Sequence, residues 1–254
     1  MFTTLIILLA EDDEDDALIA RTVLDEFKDL RIHLDWVSTY EAAAEQICHN
    51  QHDVYLFDYS LGAHSGLDLL AVAREHGCSA PVIMLTGHTD NQIMLKAIRA
   101  GANDYLVKRQ YDAQVLGRSI RYSLDRKRAE TALRVSEERY RKLIENASEM
   151  VFSYDWQGQL TAVNSSMERS TGCSRDERTM MNLALLLTEE SRSALDEMNT
   201  RQMAGECTEP CEVAIQAKCG AVIPTEMRSS LIADGHRPVE FQAIARAKGR
   251  GVPN

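Results

Sequence analysis

The sequence predicts a doubly wound α/β domain built on a five-stranded parallel sheet, followed by an α+β domain with an antiparallel sheet. The length of 254 residues is typical of two domains of ordinary size. Five short apolar runs alternate with helical patterns in the first half of the chain, and shorter strands and helices are mixed in the second half. Alternating strand–helix units are typical of a parallel sheet, whereas a mixed order is typical of α+β folds.

Charge divides the chain into three parts. Residues 1–125 carry 10 basic and 20 acidic side chains, residues 126–146 carry 7 and 4, and the remainder carries 11 and 15. The middle part is also the least apolar, which favours a connector between folded domains. We therefore expect domains at 1–125 and 147–248, a helical connector at 126–146 and a tail at 249–254.

Each strand of the first domain is predicted from a short apolar run. The runs Leu5–Leu9, Val54–Phe57 and Val82–Leu85 are nearly continuous, which is typical of strands covered on both faces. Ile32–Val37 and Asp104–Val107 are weaker candidates for two more strands. Helical patterns lie between or after these runs, at residues 19–30, 40–48, 66–75, 90–100 and from 111 onward.

The second domain begins with a predicted hairpin. Val151–Tyr154 and Leu160–Asn164 are its strands, and Gly158 lies in the turn between them. Helices are predicted at 166–170, 176–187 and 191–203, and further strands at 211–218, 221–233 and 239–247. A hairpin, helices and antiparallel strands in this order indicate an α+β fold.

Composition and charge exclude several classes of protein. The net charge of −11 argues against a protein that coats nucleic acid. The apolar run Leu5–Ala10 is too short to span a bilayer and follows no basic segment, so we expect neither a membrane anchor nor a signal peptide. Six cysteines without an export signal indicate thiols. We therefore expect a cytoplasmic protein with no nucleic-acid and no membrane partner.

Polar side chains stand directly after the strands of the first domain. Glu11 and Asp12 follow the first apolar run, and Asp58, Thr86 and Lys108 follow three of the others. Ligands of open parallel sheets bind beyond the carboxyl ends of the strands. Three converging carboxylates favour a hard divalent cation such as Mg²⁺. An ammonium and a hydroxyl group beside them suit a phosphoryl group at the third carboxylate.

Four segments resemble the receiver domain of two-component response regulators. They are LIILLAEDD (5–13), DVYLFDYSLGAHSGLDLL (53–70), PVIMLTGHT (81–89) and GANDYLVK (101–108). The resemblance covers about the first half of the chain and implies a flavodoxin-like sheet with strand order 2-1-3-4-5. It also implies that the partner is a sensor histidine kinase or a phosphotransfer protein.

The resemblance implies a phosphoacceptor and a metal site. Asp58 is the residue that would accept a phosphoryl group from a phosphohistidine of the partner. Mg²⁺ would be held by Glu11, Asp12 and Asp58 together with the backbone carbonyl of Ser60.

The resemblance also implies roles for residues beside the phosphoacceptor. Thr86 and Lys108 would bind the phosphoryl group, and Tyr105 would turn inward as a switch residue. Our own hypothesis is that His88, two residues after Thr86, tunes the attack of water on the acyl phosphate. The alternative is an ordinary surface histidine.

Two positions depart from the family pattern. Arg109 and Gly62 stand where proline is usual. A non-proline cis peptide costs about 3–4 kcal/mol, so we expect a trans bond after Lys108 and a shifted loop. Within the acidic run, we assign Asp13–Asp16 to a helix start, where carboxylates gain about 0.3–1 kcal/mol from free N–H groups and the helix dipole.

The segment after the first domain has a helical pattern from Tyr111 to about residue 146. Ala129, Leu133, Tyr140 and Leu143 occupy approximate heptad positions along it. Two interpretations remain open: a helix that carries motion or a dimer contact between domains, and a single solvated, charged helix.

Two segments of the second half resemble a PAS domain. They are SEERYRKLIENASEMVFSYDWQGQLTAVNSSMERSTGCSRDE (136–177) and GHRPVEFQAIAR (235–246). The resemblance implies a sensor or dimerisation module, and hence a homodimer through the connector helix and the PAS domain. No flavin-type cysteine motif or well-placed haem histidine is recognisable, so we expect no chromophore and leave the PAS ligand open.

The sequence therefore predicts a two-component phosphorelay response regulator. In this interpretation Asp58 is phosphorylated and the signal passes through the connector helix to the PAS domain. We expect no enzymatic activity beyond the domain's own phosphorylation and dephosphorylation, since no kinase or cyclase segment is recognisable. Two alternatives stay open: a sensory N-terminal fragment of a longer hybrid histidine kinase, and a phosphohydrolase, which would need a further acid or base.

Overall fold

The computed structural model describes residues 4–27, 31–87, 91–174, 181–206, 209–234 and 237–248. The chain divides into two compact units, Met1–Arg134 and Val135–Asn254. None of the helices within the described ranges combines the length and the apolar character needed to cross a membrane.

The first unit alternates strands and helices, as the apolar runs predict. Its strands are β1 (Thr4–Ala10), β2 (Arg31–Val37), β3 (Val54–Asp58), β4 (Ser60–Leu61), β5 (His64–Ser65), β6 (Val82–Thr86) and β7 (Asp104–Val107). Its helices are α1 (Glu14–Asp25), α2 (Tyr40–His49), α3 (Gly66–Glu75), α4 (Asn91–Arg99) and α5 (Ala113–Glu145), and α5 continues past the boundary of the unit.

Five strands of the first unit form one parallel sheet in the order β2-β1-β3-β6-β7. The short pair β4–β5 forms a separate antiparallel hairpin after β3. When this hairpin is set aside, the order is the expected 2-1-3-4-5. Ala10 at the end of β1 is paired with Phe57, next to the end of β3. The residues that follow these two strands therefore lie at one edge of the sheet.

Both faces of the parallel sheet are covered, because alternate residues of each strand point to opposite sides. Leu8 and Ala10 belong to a cluster with buried residues of α2, α3 and α4. Ile7 and Leu9 belong to a second cluster with buried residues of α1 and α5. This two-sided burial explains why the strands are continuous apolar runs.

The second unit contains an antiparallel sheet, and its helices lie between the second and third strands along the chain. Its strands are β8 (Met150–Tyr154), β9 (Leu160–Val163), β10 (Cys211–Gln216), β11 (Val222–Asp234) and β12 (Arg237–Ala247), and its helices are α6 (Ser165–Thr171) and α7 (Glu189–Met203). The strand order is β10-β11-β12-β8-β9, and every pairing is antiparallel. The predicted combination of a parallel and an antiparallel sheet is confirmed.

One helix of the second unit differs from the sequence prediction. Of the helix expected over 176–187, residues 176–180 lie outside the described residues, and Leu183–Leu186 forms a 3-10 helix. Asn182 caps it by accepting a hydrogen bond from the Ala184 N–H at 2.9 Å. The Leu183 N–H donates to the Gly158 carbonyl at 2.8 Å, so the segment is held against the β8–β9 turn. This contact holds its backbone in place beside the hairpin.

Candidate functional site

The first part of the site lies between the end of β1 and the start of α1. Glu11 is buried directly after β1, and its backbone N–H donates to the Val37 carbonyl at 3.1 Å. The Trp36 indole N–H donates to the Glu11 carbonyl at 2.9 Å. Asp13 caps α1 by accepting hydrogen bonds from the N–H groups of Asp15 and Asp16. The strand end and the helix cap thus fix the backbone on both sides of Asp12.

The second part of the site is the end of β3, where Asp58 is 4% exposed. The start of α3 lies unusually close, since a Cβ added to Gly66 would lie 2.3 Å from the Asp58 carbonyl oxygen. Only glycine permits this approach, so Gly66 fixes where α3 begins relative to Asp58.

The ammonium of Lys108 joins the two parts. Its Nζ lies 2.7 and 2.8 Å from the two carboxylate oxygens of Glu11, and 2.9 Å from Asp58 Oδ2. The Lys108 backbone N–H donates to the Thr86 carbonyl at 2.7 Å. Lys108 follows β7, and β6 lies between β7 and β3 in the sheet. The lysine side chain therefore reaches across the sheet edge to both carboxylates.

Burial and charge set the protonation of this group. Desolvation raises the pKa of Glu11 to about 7, and the opposing interaction with Lys108 does not cancel it. Desolvation likewise raises the pKa of Asp58, again against the effect of Lys108. Desolvation acts to lower the pKa of Lys108, but the hydrogen bonds from its ammonium to both carboxylates outweigh it and raise the pKa. The site therefore holds a permanent cation among an excess of carboxylates.

Three carboxylates of the site can hold a metal ion. Each of Glu11, Asp12 and Asp58 offers an oxygen, and these oxygens all lie within 4.8 Å of one another. An all-oxygen set with one exposed member fits Mg²⁺, which keeps several of its water ligands. Asp12 is oriented by the Gly62 N–H, which donates to its carboxylate at 2.9 Å. Gly62 has φ +59, and a proline there could neither adopt this angle nor donate this bond.

The structure places the other expected site residues at neighbouring positions. Thr86 ends β6 and is fully buried. Ser60 begins the hairpin strand that follows Asp58. Tyr105 lies half-buried in β7 and packs against the cluster that contains Phe57. His88 lies outside the described residues.

Asp16 is a site neighbour that sequence reasoning missed. The sequence assigns it to the acidic start of α1, yet its Oδ2 lies 3.2 Å from Lys108 Nζ. Its Oδ1 accepts two hydrogen bonds from the Arg109 guanidinium, at 3.1 and 2.9 Å. Asp13, by contrast, caps the helix as expected. No local sequence pattern links Asp16 to the basic pair at 108–109.

Arg109 has φ +61, in the left-handed region that non-glycine residues rarely adopt. The described residues contain no cis peptide bond. The loop that leads from β7 to α5 therefore turns through a left-handed residue, and this residue is tied to α1 by its ion pair with Asp16.

Fold and site together define a receiver domain. Residues 7–120 match the family model of the response regulator receiver domain, and residues 138–247 match that of the PAS fold. The chain thus combines a receiver domain with a PAS domain that follows it. This arrangement fits two-component signalling.

Curated relatives resemble the first half of the chain. The two-component response regulator PhoP of Pseudomonas aeruginosa is 33% identical over 95 residues, which are 37% of this chain and 42% of the relative. Response regulator RppA of Synechocystis sp. is 35% identical over 115 residues, which are 44% of this chain and 47% of the relative. The chain therefore spans less than half the length of these relatives.

Solved structures resemble each half. A signal receiver domain assigned to a LuxO repressor protein from Vibrio parahaemolyticus has 24% identity and a TM-score of 0.46, with 52% of this chain and 98% of that chain covered. The PAS domain of an HTR-like protein from Haloarcula marismortui has 19% identity and a TM-score of 0.41, with 48% and 99% covered.

Proposed function

We propose that this protein is a two-component response regulator in which Asp58 accepts a phosphoryl group from the phosphohistidine of a sensor histidine kinase or phosphotransfer protein. One observation carries the proposal. The Asp58 carboxylate lies in a buried site, 2.9 Å from the Lys108 ammonium and among the three carboxylates that can hold a divalent cation. The two matched domains do not favour the alternative of a hybrid histidine kinase fragment.

Phosphoryl transfer needs a nucleophile, charge neutralisation and a leaving group. An Asp58 carboxylate oxygen would attack phosphorus while the P–N bond to the partner's imidazole breaks, and the imidazole nitrogen would take up a proton. Mg²⁺, held by Glu11, Asp12, Asp58 and the Ser60 carbonyl, would neutralise charge on the phosphoryl oxygens. The Lys108 ammonium and the Thr86 hydroxyl would donate to the same oxygens.

Asp58 must be ionised to act as this nucleophile. Desolvation raises its pKa, but the interaction with the Lys108 ammonium favours its charged form. In the product the carboxylate charge is lost and a phosphoryl dianion takes its place. We expect the ammonium of Lys108 to follow this charge, and Tyr105 of β7 to move inward with it.

We propose that the signal reaches the PAS domain through α5. The helix runs from Ala113 to Glu145 and includes all but the last residue of the expected connector at 126–146. Several apolar side chains on it are exposed: Tyr122, Leu133, Val135, Tyr140 and Leu143. Exposed apolar side chains on a connector suit self-association, so we include homodimerisation through α5 and the PAS domain in the proposal. The domain division at 1–125 and 147–248 belongs to the same proposal.

Incubation of the full chain with Mg²⁺ and acetyl phosphate tests the proposal. Intact-protein mass spectrometry is expected to show one phosphoryl adduct that depends on Mg²⁺. Asp58→Asn should abolish the adduct, whereas Asp25→Asn should keep it, because Asp25 is an exposed carboxylate at the other end of α1. An adduct that persists in Asp58→Asn would show that another residue is the acceptor.

A further inference from the structure

Asp16 lies beside the candidate site but outside the set of carboxylates that can hold the metal. Its two oxygens contact two consecutive cations: Oδ2 lies 3.2 Å from Lys108 Nζ, and Oδ1 lies 2.9 Å from Arg109 Nη2. The side chain is 15% exposed. An ordinary solvated carboxylate at a helix start would have neither contact.

Helix α1 fixes the position of this carboxylate. The Asp16 N–H donates to the Asp13 carboxylate at 3.0 Å, so Asp16 lies in the capped first turn. Both hydrogen bonds from the Arg109 guanidinium go to Oδ1 of this carboxylate. Asp16 is therefore anchored through Oδ1, and Oδ2 is the oxygen that contacts Lys108.

More acceptor oxygens surround the Lys108 ammonium than it has N–H groups. It carries three N–H groups, whereas four oxygens lie within 3.2 Å of it: both of Glu11 and one each of Asp58 and Asp16. Glu11 and Asp58 also belong to the metal set, so a bound cation would compete with the ammonium for their oxygens. Asp16 is the partner that a cation at that site would leave to Lys108.

We propose that Asp16 is a positioning residue that holds the Lys108 ammonium beside Asp58 when the oxygens of Glu11 and Asp58 are engaged by a metal ion. This inference rests on the proposed phosphorylation of Asp58. Partial burial acts to raise the pKa of Asp16, but hydrogen bonds from Arg109 and Lys108 outweigh it and hold the pKa below its usual range. The residue is thus a carboxylate when the site is in use.

Asp16→Asn tests the inference, because it keeps the size of the side chain and removes its charge. The rate constant for phosphorylation by acetyl phosphate at saturating Mg²⁺ is expected to fall about tenfold, since a small displacement of the Lys108 ammonium lowers the rate of the chemical step. The Kd for Mg²⁺ is expected to change less than about threefold, since Asp16 is not a ligand. A merely structural defect would lower stability and weaken both measurements together.

Two further variants make the test specific. Asp15→Asn removes the same charge from the same helical turn, but within the described residues the exposed Asp15 carboxylate forms no ion pair with Lys108 or Arg109, so wild-type rates are expected. Asp16→Glu keeps the carboxylate and should recover part of the rate. Melting temperatures of all variants identify any that fail to fold, and Asp16→Ser, which also removes the carboxylate, then serves in place of Asp16→Asn.

The outcomes separate this inference from the function on which it rests. If the wild type takes up the phosphoryl label and Asp16→Asn is phosphorylated as fast as Asp15→Asn, the proposed function stands and the inference is overturned. A parallel loss of rate and Mg²⁺ affinity in Asp16→Asn would also overturn it. A wild-type chain that takes no phosphoryl label would overturn both.

Discussion

A Cβ atom at Gly66 would lie 2.3 Å from the backbone carbonyl oxygen of Asp58 and 2.6 Å from Met84 Cε. The methionine end is flexible and can move, but the carbonyl belongs to β3 and cannot. The absence of a side chain at Gly66 therefore lets α3 start directly against the strand that carries the candidate phosphoacceptor.

Gly66→Ala is accordingly expected to destabilise the receiver domain by about 1–3 kcal/mol, as overpacked sites do. Urea unfolding of the full chain, followed by circular dichroism, measures the change. Gly87→Ala is the matched control, because a Cβ at Gly87 meets nothing within 4 Å and the change should be below about 0.5 kcal/mol. Equal changes in the free energy of unfolding for the two variants would refute the steric argument.

Sequence reasoning locates the site because of the way parallel sheets are built. The buried runs before Glu11, Asp58 and Thr86 are easy to recognise, and the polar residue that follows each run lies at the ligand-binding edge. It misses the contact of Asp16 with Lys108 and Arg109, because that contact depends on how a helix turn faces a distant loop. No local pattern in either segment specifies such a pairing.

The second unit shows a similar limit. The strands 221–233 and 239–247 are predicted close to their observed bounds, Val222–Asp234 and Arg237–Ala247. The apolar residues at Leu183–Leu186 predict an α-helix, but the segment forms a 3-10 helix. Its Leu183 N–H donates to the carbonyl of Gly158 in the β8–β9 turn. A long-range backbone contact decides the local structure here, and the sequence does not display it.

Arg109→Pro would restore the residue that the family usually has after the lysine, and we expect it to destabilise this chain. Proline fixes φ near −65°, whereas Arg109 has φ +61. The expected loss is about 1–3 kcal/mol, the cost of forcing an incompatible backbone conformation. Thermal unfolding measured by calorimetry reports it.

Arg109→Gly is the control for this prediction. Glycine adopts positive φ readily, and the lost ion pair with Asp16 involves a guanidinium that is 64% exposed, so its effect on stability should be small. If the proline variant is as stable as the glycine variant, the left-handed conformation at this position is not required for folding.

The affinity for Mg²⁺ is expected to depend on pH near neutrality. Desolvation raises the pKa of Glu11 to about 7, so below that value a proton occupies a carboxylate that the metal needs. A single proton with this pKa makes the apparent Kd about tenfold tighter at pH 8 than at pH 6. The raised pKa of Asp58 acts in the same direction. Isothermal titration calorimetry at both pH values measures the shift.

Glu11→Gln supplies the comparison for the pH experiment. This variant binds Mg²⁺ more weakly but lacks the titrating group, so its Kd should vary less between pH 6 and pH 8. A wild-type Kd that is the same at both values would contradict the raised pKa. An equal pH dependence in Glu11→Gln would assign the titration to another group.

Asn164 is fully buried, and its amide joins three segments of the PAS domain. Its oxygen accepts hydrogen bonds from the N–H groups of Val151 and Met167, both at 3.1 Å. Its nitrogen donates to the carbonyls of Ile144 and Glu149, both at 3.0 Å. Ile144 lies in the last turn of α5, so this one side chain ties the end of the connector helix to β8 and α6.

Asn164→Asp keeps the shape of the side chain but cannot donate to the two carbonyls, and a buried charge would face both of them. We expect a loss of about 2–4 kcal/mol, from one unsatisfied buried group or more. Asn146→Asp is the control, because Asn146 is exposed and should tolerate the charge. Hydrogen exchange of the Ala147 amide, which donates to the Ile144 carbonyl, measures the local effect. Wild-type protection of this amide in Asn164→Asp would show that the end of α5 is held by other contacts.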